Sequence, residues 1–310
     1  MQPGLRRLAP GTQQLTPSLP GSRHLCEKMA VLAGAPHEAL CAVPGFDESA
    51  VLRTIADEAA RSCPDAFRVK ASTGALSAEA PTLGWAVDGD AVQGEGDPAI
   101  GALLRELAPA LRRAALVSLA FAEDFAVLDG ATTTLPWLAV CLPSHWAPED
   151  KVGRPFVEVH APVADGELLR AAGASLARLV TGDERWERFV WTVSADPRLG
   201  QHPRRSDAAW PQARGSDPHA DAAALAAAAS LRSERQTFLP IVGTGRAVFT
   251  ILVESTPLVD AVADADAARR LHDAIASMSP AVLAYRRLDR ARDRLLAWLA
   301  ERAAGASPRE

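Results

Sequence analysis

The segment Thr237 to Ser255 constrains the fold of this chain more than any other. It reads as a β-hairpin. Gly243-Thr-Gly245 supplies the turn, and Arg246-Ala-Val-Phe-Thr-Ile-Leu-Val-Glu254 is the return strand. A hairpin joins antiparallel neighbours, so an antiparallel sheet must form here. The same period of two recurs upstream in Trp137 to Pro143, Pro155 to Val163 and Glu187 to Ser194. Around five strands after Leu135 therefore suggest one antiparallel sheet.

The rest of the chain has the helical period. Val51, Leu52, Ile55 and Ala59 make a stripe over Glu48 to Ser62, with Asp47 as a cap and Pro64 as a stop. Leucines between Ala99 and Leu128 predict two helices broken near Pro109, the second carrying Glu123-Asp124. Further helices are predicted for Asp165 to Leu179, Ala223 to Leu231, Asp264 to Met278 and Pro280 to Ala303. Residues 70–98 read as short strands and loops, and 195–222 as a long exposed loop. The expected class is α+β, with helices from both ends of the chain packed around the sheet. Residues 1–45 form an N-terminal extension, partly irregular, whose first 28 residues wrap the surface or stay mobile. A single domain is expected over 46–305.

Charge and cysteine usage narrow the function. The net charge of −5 gives no reason to expect nucleic acid or an anionic membrane as a partner. Cys26, Cys41, Cys63 and Cys141 include no C-x-x-C pair, which argues against structural zinc and cysteine-ligated iron–sulfur clusters. No apolar run approaches the ~20 residues that span a bilayer, and the first 28 residues lack the apolar core of a secretory signal. The expected location is the cytoplasm. The G-x-S-x-G, P-loop, Rossmann and H-E-x-x-H patterns are all missing.

Three polar clusters remain. The first is Cys141-Leu-Pro-Ser-His-Trp146 with Glu149-Asp-Lys151, the second is Glu158 with His160, and the third is Ser233-Glu-Arg-Gln-Thr237. On an extended 151–163 segment, Phe156, Glu158 and His160 share one face, while Val157, Val159, Ala161 and Val163 share the other. A neutral imidazole on a rigid strand suits a heme iron or another metal, although a lone histidine on a strand is more often a hydrogen-bonded structural residue. Arg235 either reaches solvent, pairs with a carboxylate or faces a ligand, because an unpartnered buried charge is costly. On an extended strand Glu234 and Arg235 point to opposite sides.

These clusters, in this order, resemble the heme-dependent oxidative N-demethylase alpha-subunit-like family. That family carries Cys-Phe-Pro-Ser-x-Trp then Glu-Lys-x-Gly, Ile-His-Ala-Pro-Val, Arg-x-Asn-Trp and Arg-x-Glu-Arg-Gln-Thr-Leu. The counterparts are Cys141 to Trp146, Glu149-Asp-Lys-Val-Gly153, Val159-His-Ala-Pro-Val163, Arg188-Phe-Val-Trp191 and Arg232-Ser-Glu-Arg-Gln-Thr-Phe238. Ala122-Glu-Asp124 looks like the family's Gln-Glu-Asp, and the similarity runs from about Phe46 to Tyr285.

The resemblance implies a PAS-like antiparallel sheet enclosing heme b, with His160 as the proximal iron ligand. It implies Arg235 on the distal side, polarising dioxygen or holding a heme propionate, with Glu234 as a second catalytic candidate and Trp146 and Trp191 lining the cofactor. The implied activity is monooxygenase-like demethylation of a small secondary amine with dioxygen. Electrons come from a separate flavin or iron–sulfur reductase, for which this chain has no motif. A heme-binding PAS-like sensor and a non-catalytic binding protein are the alternatives. The sequence departs from the family at Val190 (for Asn), Ala122 (for Gln) and the inserted Asp150.

Overall fold

The computed structural model describes residues 4–72, 75–155, 158, 166–206, 208–213 and 217–305. In chain order, strand β1 (Arg6–Arg7) precedes helix α1 (Arg23–Gly34), the single turn α2 (Pro36–Ala39), strand β2 (Leu40–Ala42) and helix α3 (Ser49–Ser62). Four short strands follow: β3 (Arg68–Ser72), β4 (Ala75–Ala80), β5 (Trp85–Asp88) and β6 (Ala91–Gly94). Helices α4 (Pro98–Glu106) and α5 (Pro109–Ala120) lead into β7 (Asp124–Asp129) and β8 (Trp137–Ala139). Next come helix α6 (Gly166–Val180), strand β9 (Trp186–Ser194), helix α7 (Ala222–Ala228), and the strands β10 (Ser230–Ile241) and β11 (Arg246–Pro257). The last described elements are α8 (Leu258–Ala261), α9 (Ala265–Ala276), α10 (Pro280–Tyr285) and α11 (Arg292–Ala303).

Local chemistry accounts for the main boundaries. At the start of α3 the Asp47 carboxylate accepts the Ser49 N–H at 2.9 Å, and the helix buries Val51, Leu52, Ile55 and Ala59 as their spacing predicts. Helices α4 and α5 both open on proline, where the missing N–H would have had no helical partner. The hairpin turn is closed by Gly243 and Gly245 at φ of +73° and +66°, a region costly for other residues.

Strands β1-β9-β10-β11-β7-β8-β2 form a seven-stranded antiparallel sheet, and β3 to β6 form a separate four-stranded one. Together with the flanking helices this is a mixed α+β architecture. The hairpin register pairs Phe238 with Phe249, whose rings stack at 4.8 Å, and Thr237 with Thr250, whose hydroxyls meet at 2.6 Å. One apolar cluster joins α1, α3, α5 and the small sheet through Leu32, Leu52, Leu116 and Val87. A second lies among the C-terminal helices around Leu225, Ile275 and Leu295, and a third packs Val180 of α6 against Leu138 and Phe238.

Several expectations change. The second leucine-rich helix stops at Ala120, so Glu123 lies beyond it and Asp124 opens β7. Both carboxylates are 1 % exposed and take backbone N–H donors from other segments, donors that a helix interior has already used. The sheet is larger than the late strands alone, because β1, β2 and β7 join it. Helix α7 ends at Ala228, which gives Leu231 to β10. The helix predicted from Pro280 to Ala303 is two helices, with Arg287 between them at φ +58°. The 195–222 loop is not wholly exposed, since Leu199, Gln201 and His202 are each buried. In the segment expected as a strand over Pro155 to Val163, Pro155 forms an isolated bridge to Thr134. The Glu158 N–H then turns back to the Pro155 carbonyl at 2.9 Å. The remainder of that segment, including His160, lies outside the described residues. Residues 8–22, between β1 and α1, run as a strap along the rest of the chain. Leu15 is fully buried in it, and Thr16 and Ser18 bond to the Ala120–Glu123 corner.

Candidate functional site

Alternation along β10 builds the site. Arg232, Glu234, Gln236 and Phe238 share one face with their β9 partners Thr192, Val190, Arg188 and Trp186. A chain of hydrogen bonds crosses this face. Arg188 Nε donates to Gln236 Oε1, and Gln236 Nε2 donates to Glu234 Oε2 at 2.6 Å. From the other side Arg232 Nε donates to Ser144 Oγ at 2.8 Å, and Ser144 Oγ donates to Glu234 Oε1. Arg232, 1 % exposed, also reaches the Leu142 and Arg198 carbonyls at 3.1 and 3.2 Å. The two arginines therefore act on neutral intermediaries. Among the described residues, the Glu234 carboxylate has no ion pair within 4.0 Å.

Two cations remain on this face. Lys151 Nζ stands 4.5 Å from the centroid of the Trp146 ring, a cation–π arrangement. Burial pushes its ammonium down to about 8, with the Glu234 charge acting the other way. Arg188 is likewise held below its ordinary value by burial, with Glu234 and then Tyr285 opposing. Among the described residues neither meets a carboxylate within 4.0 Å.

The loop that carries Ser144 and Trp146 is fixed from beneath. Asp124 accepts the N–H groups of Cys141 and Leu142 at 3.1 and 2.7 Å, and its charge meets Lys28 Nζ at 3.1 Å. Lys28 is fully buried and also donates to the Ser118 and Phe121 carbonyls at 3.1 and 3.0 Å. The Cys141 thiol, pushed up to about 12 by burial and by Asp124, is inert at this position. Gln201 clasps the loop from above: its N–H donates to the Pro143 carbonyl at 2.8 Å, and its carbonyl accepts the His145 N–H at 2.9 Å. His145 has φ of +59° and accepts from Arg287 at 3.2 Å. Burial, with Arg287 and Arg232 nearby, pushes its imidazole down to about 4, so it is neutral near pH 7.

The residues singled out by sequence separate. Glu234 and Trp146 belong to this face. Glu234 and Arg235 do point to opposite sides, as expected for a strand. Arg235 Nε donates to Glu187 Oε2 at 3.2 Å, and another of its nitrogens donates to the Gln13 carbonyl at 2.9 Å. Arg6 of β1 shares Glu187 at 2.8 Å. Trp191 pairs in register with Ser233, so it shares Arg235's face, and it packs into the C-terminal helical cluster beneath Arg286 at 5.1 Å. Glu158 is exposed. Arg188, Ser144, Arg232 and Gln236 also belong to this face, and each lies in one of the sequence motifs. The signal that marks them is the two-residue spacing of 232, 234 and 236, which puts those three side chains on one face.

A second polar cluster brings one ligand atom each of Glu38, Glu149 and His202 within 4.8 Å of one another. Its hydrogen bonds do not suit a metal. His202 Nδ1 accepts the Arg204 N–H at 3.2 Å, which leaves the ring proton on Nε2, facing Glu149 at 3.1 Å. Arg204 pairs with Glu149 and Arg205 with Glu38, so the carboxylates are already neutralised. The cluster ties α2 and the turn at Glu149 to the 202–205 loop. Two open surface clefts of about 490 Å³ lie along the N-terminal strap, one touching Gln13, Glu58 and Arg185, the other Arg6, Phe189 and Arg235. Neither includes the Glu234 network.

A family model described as "Haem-dependent oxidative N-demethylase, alpha subunit-like" matches residues 44–296. No curated protein matches the chain. No helix among the described residues is long and apolar enough to cross a membrane.

Proposed function

Because the chain belongs to the haem-dependent oxidative N-demethylase, alpha subunit-like family, we propose that it is the heme-binding subunit of a monooxygenase that demethylates a small secondary amine. The observation that carries this reading is the meeting of four separate motifs on one sheet face. The Cys-Leu-Pro-Ser-x-Trp stretch contributes Ser144 and Trp146, and the Glu-x-Lys stretch contributes Lys151. Arg-x-x-Trp contributes Arg188, and Arg-x-Glu-Arg-Gln-Thr contributes Arg232, Glu234 and Gln236. The fifth motif, with His160, follows Lys151 closely in the chain. In this reading residues 46–305 form one PAS-like domain with 1–45 as its extension, working in the cytoplasm.

Heme b is an apolar ring bearing two carboxylates and an iron. The residues present suit it. Trp146, Val190 and Phe238 offer apolar surface, and the face carries more positive than negative charge. His160 would hold the iron. The bound group would supply dioxygen activation, whereby one oxygen atom converts the N-methyl carbon to formaldehyde and the other leaves as water, with two electrons and two protons from a separate reductase.

The protein's own contribution is positioning. Ser144 and Gln236 use one oxygen each of Glu234 and leave lone pairs free to accept an amine N–H. Arg235, braced against Glu187, acts through the sheet by holding β1 to the strands behind the site.

Val190 stands directly opposite Glu234 in the register, where the family has asparagine. That lost polar partner favours a second reading, a heme-binding sensor or binding protein without demethylation. Reconstitution with heme is expected to give a Soret band that is altered or lost in His160→Ala. An unchanged band would reject His160 as the ligand. Formaldehyde release from dimethylamine with an artificial electron donor supports the enzyme. A heme-loaded protein that releases none from any small amine supports the second reading.

A further inference from the structure

Among the described residues, the cations that burial makes costly are almost all accounted for. Lys28 has Asp124 and three carbonyls, Arg232 has Ser144 and two carbonyls, Arg235 has Glu187, and Arg294 has Asp221 at 3.2 Å. Lys151 and Arg188 are the exceptions beside the Glu234 network. A charge withdrawn from water costs several kcal/mol unless an opposite charge or a full set of hydrogen bonds replaces the solvent. Lys151 has the Trp146 ring, and Arg188 spends one donor of its five on the neutral Gln236 amide. Among the described residues, the carboxylate that both feel is Glu234, and it is already engaged by Ser144 and Gln236.

Building on the heme reading above, we propose that Lys151 and Arg188 form an anion site that takes the carboxylates of the porphyrin. One negative charge now serves two positive ones, so a dianionic group restores balance and leaves Glu234 free for the amine. The guanidinium fork of Arg188 matches a carboxylate in a way that its amide partner does not. Lys151, held over an indole, presents its ammonium at an aromatic wall where a flat macrocycle can lie against the same ring. Tyr285, within electrostatic reach of both Arg188 and Glu234, adds a neutral O–H donor at the rim. The assignment gives the carboxylates to the Glu234 face and not to Arg235, which lies on the other side of the strand.

The test compares two probes on the haem-free full chain: ferric protoporphyrin IX and its dimethyl ester, each titrated by Soret absorbance. The native chain is expected to prefer the free acid. Lys151→Met and Arg188→Met should each weaken the free acid roughly 30-fold or more while leaving the ester almost unchanged, and Lys151→Arg should retain binding. Far-UV circular dichroism checks that each variant is folded. Variants that bind the free acid like the native chain overturn the assignment, as does equal weakening of acid and ester. A native chain that takes up neither porphyrin overturns the heme reading itself, and the assignment with it.

Discussion

At the residue scale, Glu123 is an ionisable group in an unusual place. It is buried, it accepts the Thr16 N–H through both oxygens at 3.1 and 2.9 Å, and burial pushes its carboxyl up to about 7. A carboxyl with a raised folded pKa favours the fold while protonated. Its contribution is complete below the unfolded value near 4.5 and is lost as pH rises through about 7. Glu123→Gln removes the ionisation and with it this pH dependence. Between pH 5 and pH 8 the stability difference, variant minus native, should move in the variant's favour by about 3 kcal/mol. Chemical denaturation at the two pH values measures this, and a difference that does not change with pH would disprove the assignment. The Glu123-Asp124 motif is legible in the sequence, but on a predicted helix. Leucine spacing continues the helical pattern past Ala120, and only the strap at Thr16 and the loop at Cys141 reveal that both carboxylates serve distant backbone.

At the element scale, β1 has only two residues, yet it caps the edge of a seven-stranded sheet. An exposed edge strand invites pairing with other chains, and β1 shields β9 from it. Glu187, 6 % exposed and shared between Arg6 and Arg235, helps to hold β1 there, beside the Arg7–Glu184 ion pair. Glu187→Ala strands the Arg235 guanidinium and frees the strap. A loss of about 3 kcal/mol is expected, together with faster tryptic cleavage at Arg6 and Arg7. Native-like cleavage rates would mean that the backbone pairing alone holds β1. This element was invisible in the sequence, because two arginines in a Pro- and Gly-rich stretch carry no strand signal. The hairpin is the opposite case. Its glycines and its β-branched, aromatic run are local properties, and the strand pair follows from them.

At the scale of the whole molecule, the four motifs that meet at Glu234 come from β9, β10 and the loop after β8, and the sheet must form before they touch. Ligand binding to such a site stabilises the assembled state alone. Heme at a hundred times its dissociation constant should therefore add roughly 2.7 kcal/mol to the stability, read as a rise in Tm that Lys151→Met and Arg188→Met reduce. A Tm indifferent to heme would place the porphyrin outside the folded core.

Local sequence determined the α+β class, the hairpin, the helix α3 stripe and the opposed directions of Glu234 and Arg235, because each depends on spacing within one segment. The family, too, was legible from motifs in order. Tertiary structure alone decided the partners. It gave Arg235 to Glu187 on the opposite side of the strand, gathered Ser144, Arg188, Arg232 and Gln236 around Glu234, and, among the described residues, left Lys151 and Arg188 without a carboxylate partner. Those outcomes depend on which strands are neighbours and on which charges lose their water. Neither is a property of any one stretch of chain.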